Sequence, residues 1–173
     1  PFLPYPWHSS KKAGFTYDGD LRNGKGVTQV DKAGDFGLQL INLYKITGSE
    51  RYLDAAVKIA GVLSLKIKEG DINSSPLPYK VRAKTGEILW KETANWAWTM
   101  RMFDELVIMK KGEIEKYEIA SSLLREWTKK YAIPNKKYGP FFEDISTWSN
   151  TGINAGRLAE YILQNPQKWG DSW

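Results

Sequence analysis

The stretch SSPLPYKVRAKTGEILWKETANWAWTMRMFDE, residues 74–105, decides the fold of this chain because it holds the signals for both a hairpin and a buried helix. Pro76 and Pro78 restrict the residues before them to extended geometry. The Thr85-Gly86 pair is typical of a tight turn between two short strands. We therefore predict a short β-hairpin flap, with strands at residues 79–83 and 87–90.

The second half of the stretch predicts a helix. It begins at Glu92 or Thr93 and covers residues 94–110. Apolar residues recur there at spacings of three and four on two neighbouring faces. One face carries Trp96, Met100, Phe103 and Val107, and the other carries Trp98, Met102 and Leu106. A helix that is apolar on two faces is normally buried, so we expect this helix at the centre of the domain.

The start of this helix also combines aromatic rings with polar side chains. Asn95 and Arg101 accompany two tryptophans there, and the preceding flap adds Tyr79, Lys80 and Arg82. Flat rings beside hydrogen-bond donors suit a polar ligand with apolar faces, which describes a sugar. The alternative is that the tryptophans only fill the core. The predicted substrate-binding residues are Trp7, Tyr79, Arg82, Asn95, Trp96 and Trp148.

Composition excludes several classes of protein. A chain of 173 residues with 42% hydrophobic and 26% charged residues predicts one globular domain rather than a disordered segment. No apolar run approaches the roughly 18–20 residues that span a bilayer. The net charge of +5 comes from scattered lysine pairs, which argues against a nucleic-acid-binding stripe. With no cysteine and one histidine, we expect no disulfide, no metal site and no cofactor.

The rest of the chain predicts helical hairpins. A helix from Ala33 to Thr47 ends at Gly48, and Ser49 caps the next one. After a break at Gly112 a further helix covers residues 114–131, and another covers 151–163. No partner helix is predicted after residue 166. We expect a single domain with an extended arm and loops at residues 1–30 and hairpins at 31–173. Because the first residue is not Met, we expect a processed chain or part of a longer protein.

Four segments carry a resemblance to a known family. They are LYKITGSERYLDAA (43–56), SPLPYKV-x-x-KTGEI (75–88), FFEDI (141–145) and AEYILQNP (159–166). Together they resemble the six-hairpin (α/α)6 toroid glycosidase superfamily, and more narrowly bacterial carbohydrate-processing proteins of that fold. The resemblance implies an all-α fold of antiparallel helical hairpins from a partial α/α toroid, with the β-hairpin as a flap.

The resemblance also implies a function. Its members process carbohydrate, so it implies a carbohydrate partner, which includes acidic polysaccharides, and a glycoside hydrolase, polysaccharide lyase or sugar epimerase. It implies a periplasmic or extracellular location. Because this chain predicts fewer hairpins than a full toroid needs, it implies either part of a larger toroid or a short relative that pairs as a homodimer.

Glycoside hydrolysis requires two carboxyl groups, about 5–5.5 Å apart for retention or ~6.5–9.5 Å for inversion. Glu143 and Asp144 are the strongest candidates, because the aromatic residues around them could desolvate one carboxyl and raise its pKa. The alternative is an acidic pair at a helix N-terminus. Asp20 and His8 are further catalytic candidates, and their alternatives are a turn former and a structural histidine.

Two functions without catalysis remain open. The first is a non-catalytic carbohydrate-binding module, which would have the aromatic cleft without a usable carboxyl pair. The second is a helical-hairpin scaffold for protein interaction, although the internal repeat of roughly sixty residues is longer than the ~34 of common helical repeats. Arg82, Arg101 and Arg157 are available for a uronic acid, while Arg157 could equally pair with Glu160.

Overall fold

The computed structural model describes residues 26–82, 84–93, 96–139 and 152–170. Within these residues the protein is mostly helical and contains one small antiparallel sheet. The predicted helical class with a β-hairpin is therefore confirmed. Among the helices of these residues, none combines the length and the apolar character that a membrane crossing requires.

Two antiparallel helical hairpins form the main body. The first consists of α1 (Val30–Thr47) and α2 (Glu50–Lys66), and the second of α3 (Ala97–Ile108) and α4 (Ile114–Trp127). Gly48 ends α1 with a φ of 68°, a left-handed conformation that favours glycine, and donates its N–H to Tyr44. Ser49 occupies the predicted N-cap position of α2, although its hydroxyl makes no capping bond. Connections this short force each helix pair to be antiparallel.

The two hairpins lie side by side with α3 at the centre. Helix α1 packs against α3, and α2 packs against α4. Helix α3 also contacts α2 and α6, so four helices surround it. Most of the apolar residues predicted to be buried are so: Trp96 just before the first residue of the helix, then Met100, Met102, Phe103 and Leu106. Trp98 and Val107, which were predicted on the same two faces, are half-buried.

The chain after α4 departs from the prediction. A π-helical turn (Thr128–Ala132) and the short α5 (Ile133–Asn135) follow α4 directly. Helix α6 (Gly152–Gln164) agrees with the predicted third helix. We predicted no partner helix after residue 166; the four-residue α7 (Pro166–Trp169) follows α6 there and is too short to form a hairpin with it. Proline is well suited to the first turn of a helix, and burial of the Trp169 ring against Tyr161 fixes the segment.

The sheet has three strands rather than the predicted two. Strands β1 (Val27–Gln29), β2 (Pro78–Arg82) and β3 (Ile88–Thr93) are antiparallel in that order. The prediction that α3 begins at Glu92 or Thr93 is wrong, because both residues belong to β3, where Thr93 pairs with Pro78. Helix α1 begins at Val30 rather than Ala33, directly after β1. The loop region predicted for residues 1–30 therefore ends in a strand.

Helices α1 and α3 approach each other closely at two glycines of α1. A Cβ added at Gly34 would lie 2.9 Å from Cβ and 3.1 Å from Cα of Thr99, and one added at Gly37 would meet Met102 Sδ. A Cβ atom essentially never lies within 3.0 Å of a non-bonded atom, so a side chain at Gly34 would force α1 or α3 to shift. At Gly37 the flexible end of the Met102 side chain would have to move instead.

We predict that Gly34→Ala lowers the free energy of unfolding by about 1–3 kcal/mol, because the new methyl group overpacks the contact with Thr99. Gly37→Ala should cost less, since the Met102 side chain is flexible. Gly156→Ala is the matched control. Among the described residues, nothing outside its own helix backbone lies within 4 Å of the added Cβ, so helix propensity should stabilise the protein by roughly 0.5–1 kcal/mol. Urea denaturation measures all three, and equal effects at Gly34 and Gly156 would contradict the close contact.

Candidate functional site

A groove with a volume of about 540 Å³ opens between α1, α3 and α6. Each helix contributes both apolar and polar side chains to it. The groove is lined by Leu38, Gln39 and Asn42 from α1, by Trp98, Arg101, Asp104, Glu105 and Ile108 from α3, and by Tyr161, Gln164 and the following Asn165 from α6. Such a volume lies within the range of small-molecule sites.

Helix α3 contributes three charged side chains to the groove. Asp104 and Glu105 lie three and four residues after Arg101, which places each of them next to Arg101 on the helix surface. Arg101 donates to Glu160 Oε1 at 3.2 Å and to the side-chain oxygen of Gln164. Gln164 in turn donates to Glu160 at 3.2 Å. These contacts tie α3 to α6 and fix the arginine in the groove.

Asp104 is the most strongly held carboxylate of the groove. Its Oδ2 accepts a hydrogen bond of 2.6 Å from the Tyr161 hydroxyl, and its Oδ1 accepts one of 2.8 Å from Lys168 Nζ. Burial, and secondarily the charge of Asp104, raises the pKa of the Tyr161 hydroxyl far above its usual range. Tyr161 therefore stays protonated and continues to donate to Asp104.

The α1 side of the groove is lined with amides. Asn42 Nδ2 donates to Gln39 Oε1 at 3.2 Å, and Gln39 Nε2 donates to Asp35 at 3.3 Å. Near them, Lys45 Nζ lies 2.6 Å from Glu105 Oε2 and links α1 to α3. Gln39 and Asn42 are both exposed, so their remaining amide donors and acceptors are accessible to a ligand.

Trp98 provides the aromatic surface of the groove. The guanidinium carbons of Arg101 and Arg157 lie 5.1 and 5.5 Å from the centre of its ring. Both distances are short enough for cation–π attraction. Its Nε1 is buried, and no described residue accepts a hydrogen bond from it.

The carboxylates at the groove are held by cationic side chains. Asp104, Glu105 and Glu160 each contact a lysine or arginine and accept charge-assisted hydrogen bonds or ion pairs from it. Among the described residues there is no cluster of acidic or histidine side chains that could hold a metal ion.

The structure places three of the predicted substrate-binding residues, and none of them lines the groove. Trp96 is buried and donates from Nε1 to Thr128 Oγ1 at 2.8 Å. Tyr79 is buried in the sheet, with its ring 5.6 Å from that of Trp90. Arg82 pairs with Glu87 across the hairpin turn at 2.9 Å. These side chains are parts of the core and of the hairpin.

The other predicted site residues lie outside the described part of the chain. They are the catalytic candidates His8, Asp20, Glu143 and Asp144 and the binding candidates Trp7, Asn95 and Trp148. Their proposed roles stay predictions.

Sequence reasoning missed most of the groove residues. It noted Arg101 and Arg157 as available for a uronic acid and gave a pair between Arg157 and Glu160 as an alternative. In the structure Arg101 pairs with Glu160, and Arg157 lies over Trp98. The available signal was the polar group Arg101, Asp104 and Glu105 on an otherwise apolar helix. When the other faces of a helix are buried, its polar side chains mark the face that contacts another polar surface.

Comparison with known proteins yields no match: no family model fits the chain, and no curated protein or solved structure is significantly similar to it. The function of the groove must therefore be inferred from its own residues.

The raised pKa of Tyr161 predicts a specific loss of stability at alkaline pH. Its contribution is fully present below pH ~10, the ordinary tyrosine value. Above that pH the unfolded chain releases the Tyr161 proton while the folded protein keeps it, so the free energy of unfolding falls by up to ~1.4 kcal/mol per pH unit. Tyr161→Phe should remove this part of the decrease in the free energy of unfolding with pH.

Urea denaturation between pH 8 and 11 tests this. The variant is expected to be less stable at pH 8, because it lacks the hydrogen bond to Asp104, and to lose stability more slowly above pH 10. The free energy of unfolding of the variant should still fall somewhat with pH, since burial also raises the pKa of Tyr117. Parallel curves for the two proteins would contradict the proposed role of Tyr161.

Proposed function

We propose that this protein binds carbohydrate in the groove between α1, α3 and α6, and that the groove acts as a non-catalytic binding site. The observation that carries the proposal is the lining of the groove, where exposed amide side chains stand opposite an arginine and a tryptophan ring. Sugars present many hydroxyl groups around small apolar faces. A site for them needs donors, acceptors and a flat apolar surface close together.

The amide side chains suit hydroxyl groups especially well. Gln39, Asn42 and Gln164 each offer an acceptor oxygen and a donor NH2 group, and a sugar hydroxyl both donates and accepts. Because the three residues come from two facing helices, they can bind a ligand from both sides. A hydrocarbon ligand would leave these groups without partners, which is costly.

The charges of the groove favour a neutral sugar. Asp104, Glu105 and Glu160 are paired with Lys168, Lys45 and Arg101. Because these charges are paired, the groove is polar without a strong excess of positive or negative charge. We therefore infer neutral oligosaccharides, rather than acidic ones, as the ligands of this groove.

We also propose that the helical hairpins are part of an α/α toroid. Support comes from the two antiparallel hairpins that lie side by side, with α1 against α3 and α2 against α4. In this proposal the chain is either a section of a larger toroid or a subunit that pairs with a second copy. Hydrolysis, lysis or epimerisation of the sugar would depend on Glu143 and Asp144, outside the described residues.

We predict that neutral oligosaccharides quench the tryptophan fluorescence of this protein in a saturable manner. Asn42→Ala should weaken binding by roughly 2–10-fold, the effect of one lost hydrogen bond. Asn73→Ala makes the same chemical change at an exposed loop residue away from the groove and should leave the affinity unchanged.

A second matched pair tests the charged side of the groove. Arg101→Gln should weaken binding at least tenfold, because it removes both a donor and one of the two guanidinium groups over Trp98. Arg51→Gln removes a surface arginine that stacks on Tyr52 of α2 and should have no effect. The absence of saturable quenching by any neutral oligosaccharide in folded protein, or equal effects of the paired variants, would refute the proposal.

A further inference from the structure

The C-terminal ends of α1, α3 and α6 lie at the same end of the molecule, because the three helices run in one direction. Two packed helices run in one direction when residues further along the first contact residues further along the second. The contacts that show this are Gly34 with Thr99 and Lys45 with Glu105 for α1 and α3, and Arg157 with Trp98 and Tyr161 with Asp104 for α6 and α3.

Each of these helices has an exposed aliphatic side chain within its last two residues. Ile46 is 81% exposed, Ile108 75% and Leu163 58%. Ile46 and Ile108 are the two most exposed large hydrophobic side chains of the described residues. We name these three residues, together with the loop at residues 109–113, the three-helix end. Single exposed aliphatic residues are common, whereas three at one end of a molecule favour contact with another molecule.

Charged side chains of both signs accompany these aliphatic groups. Lys110 and Lys111 follow Ile108 directly, and Glu115 lies in the first turn of α4, which the short loop brings to the same end. All three charged residues are exposed, and none of them forms an ion pair with another described residue. The three-helix end therefore presents positive and negative charge close together.

Lys110 has a backbone conformation that is costly for lysine. Its φ is 55°, in the left-handed region that favours glycine. The N–H groups of Lys110 and Lys111 donate to the carbonyl groups of Val107 and Leu106, both at 3.0 Å, so the hydrogen bonds that end α3 hold this conformation. Glycine would end the helix without the strain. A lysine at a strained position of an exposed loop is typical of a residue whose charge has a role.

We propose that the three-helix end binds a second copy of this chain across a two-fold axis. In a two-fold contact the same surface meets itself, so a surface with both signs of charge can pair each lysine with a glutamate of the other copy. Lys111 of one copy lies opposite Glu115 of the other in this arrangement, and the aliphatic side chains of both copies pack at the centre. An anionic membrane fits less well, because it would repel Glu113 and Glu115.

This contact goes beyond the sugar groove, and it differs from the completion of a toroid, which would add helices beside α1 or α6. Ile108 also lines the groove, so the variants that test the contact leave Ile108 unchanged. Three side chains and one loop per copy make a small interface. We therefore expect association that is weak and depends on protein concentration.

Sedimentation equilibrium of the unaltered protein is the first test. Between roughly 1 and 300 μM the average mass should rise above the 19.8 kDa of one chain and approach that of a dimer. A mass that stays at that of one chain over the whole range would overturn the proposal.

Two serine variants test the apolar part of the contact. Ile46→Ser should weaken association about tenfold or more, because it removes apolar surface that the dimer buries. Leu65→Ser is the matched control: Leu65 is 60% exposed near the C-terminal end of α2, far from the three-helix end, and its loss should leave association unchanged. Equal effects of the two variants would contradict the proposed surface.

A charge exchange tests the two-fold pairing. Lys111→Glu and Glu115→Lys should each weaken self-association, because each places like charges opposite one another across the axis. A mixture of the two variants should associate again, since every pair across the axis then has opposite signs. Failure of the mixture to associate, when each variant is folded, would refute this pairing.

Lys110→Gly separates the role of the charge from that of the fold. Glycine relieves the positive φ, so the midpoint of thermal unfolding in dilute protein should rise while association weakens. Unchanged or stronger association would refute a role for this lysine. Ile46→Ser should still bind neutral oligosaccharides normally, so either proposal can fail without the other.

Vesicles test the membrane as the other occupant of this surface. They consist of phosphatidylcholine with phosphatidylglycerol, and we expect no co-sedimentation of the protein with them. Co-sedimentation that Ile46→Ser abolishes, together with a protein that stays monomeric in solution, would overturn the proposal and assign the three-helix end to a membrane.

Discussion

The close contact between α1 and α3 is the constraint on which the rest of the structure depends. Because Gly34 and Gly37 carry no side chain, α1 can lie directly against the Thr99 and Met102 side of α3. Strand β1 ends where α1 begins, so the position of α1 also sets the edge of the sheet. The same approach brings Gln39 and Asn42 near Trp98 and Arg101, which creates one wall of the groove.

The polar residues of the groove also hold the fold together. Asp104 accepts hydrogen bonds from Tyr161 of α6 and Lys168 of α7, and Arg101 reaches Glu160 of α6. These bonds anchor the last two helices to α3. A ligand in the groove would therefore meet side chains whose positions are already fixed, and such preorganisation reduces the entropic cost of binding.

Local sequence pattern predicted much of the fold and little of the site. The two-faced apolar spacing of α3 and the turn at Thr85-Gly86 identified the central helix and the β-hairpin, because both signals lie within a few residues. Strand β1 was missed because its partners are some fifty residues away, and pairing with β2 is what makes it a strand. The groove combines three helices that are distant in sequence, so no local pattern predicts it. Trp96 and Tyr79, which we predicted to contact a ligand, are buried in the core instead.

The binding claim is tested most directly by NMR of the side-chain amide and indole N–H groups during titration with a neutral oligosaccharide. If the groove binds sugar, the NH2 groups of Gln39, Asn42 and Gln164 and the indole N–H of Trp98 shift together and saturate at one ligand concentration. The NH2 resonances of Asn73 should not shift. Shifts confined to residues outside the groove, or no shifts at saturating sugar, would contradict binding in the groove.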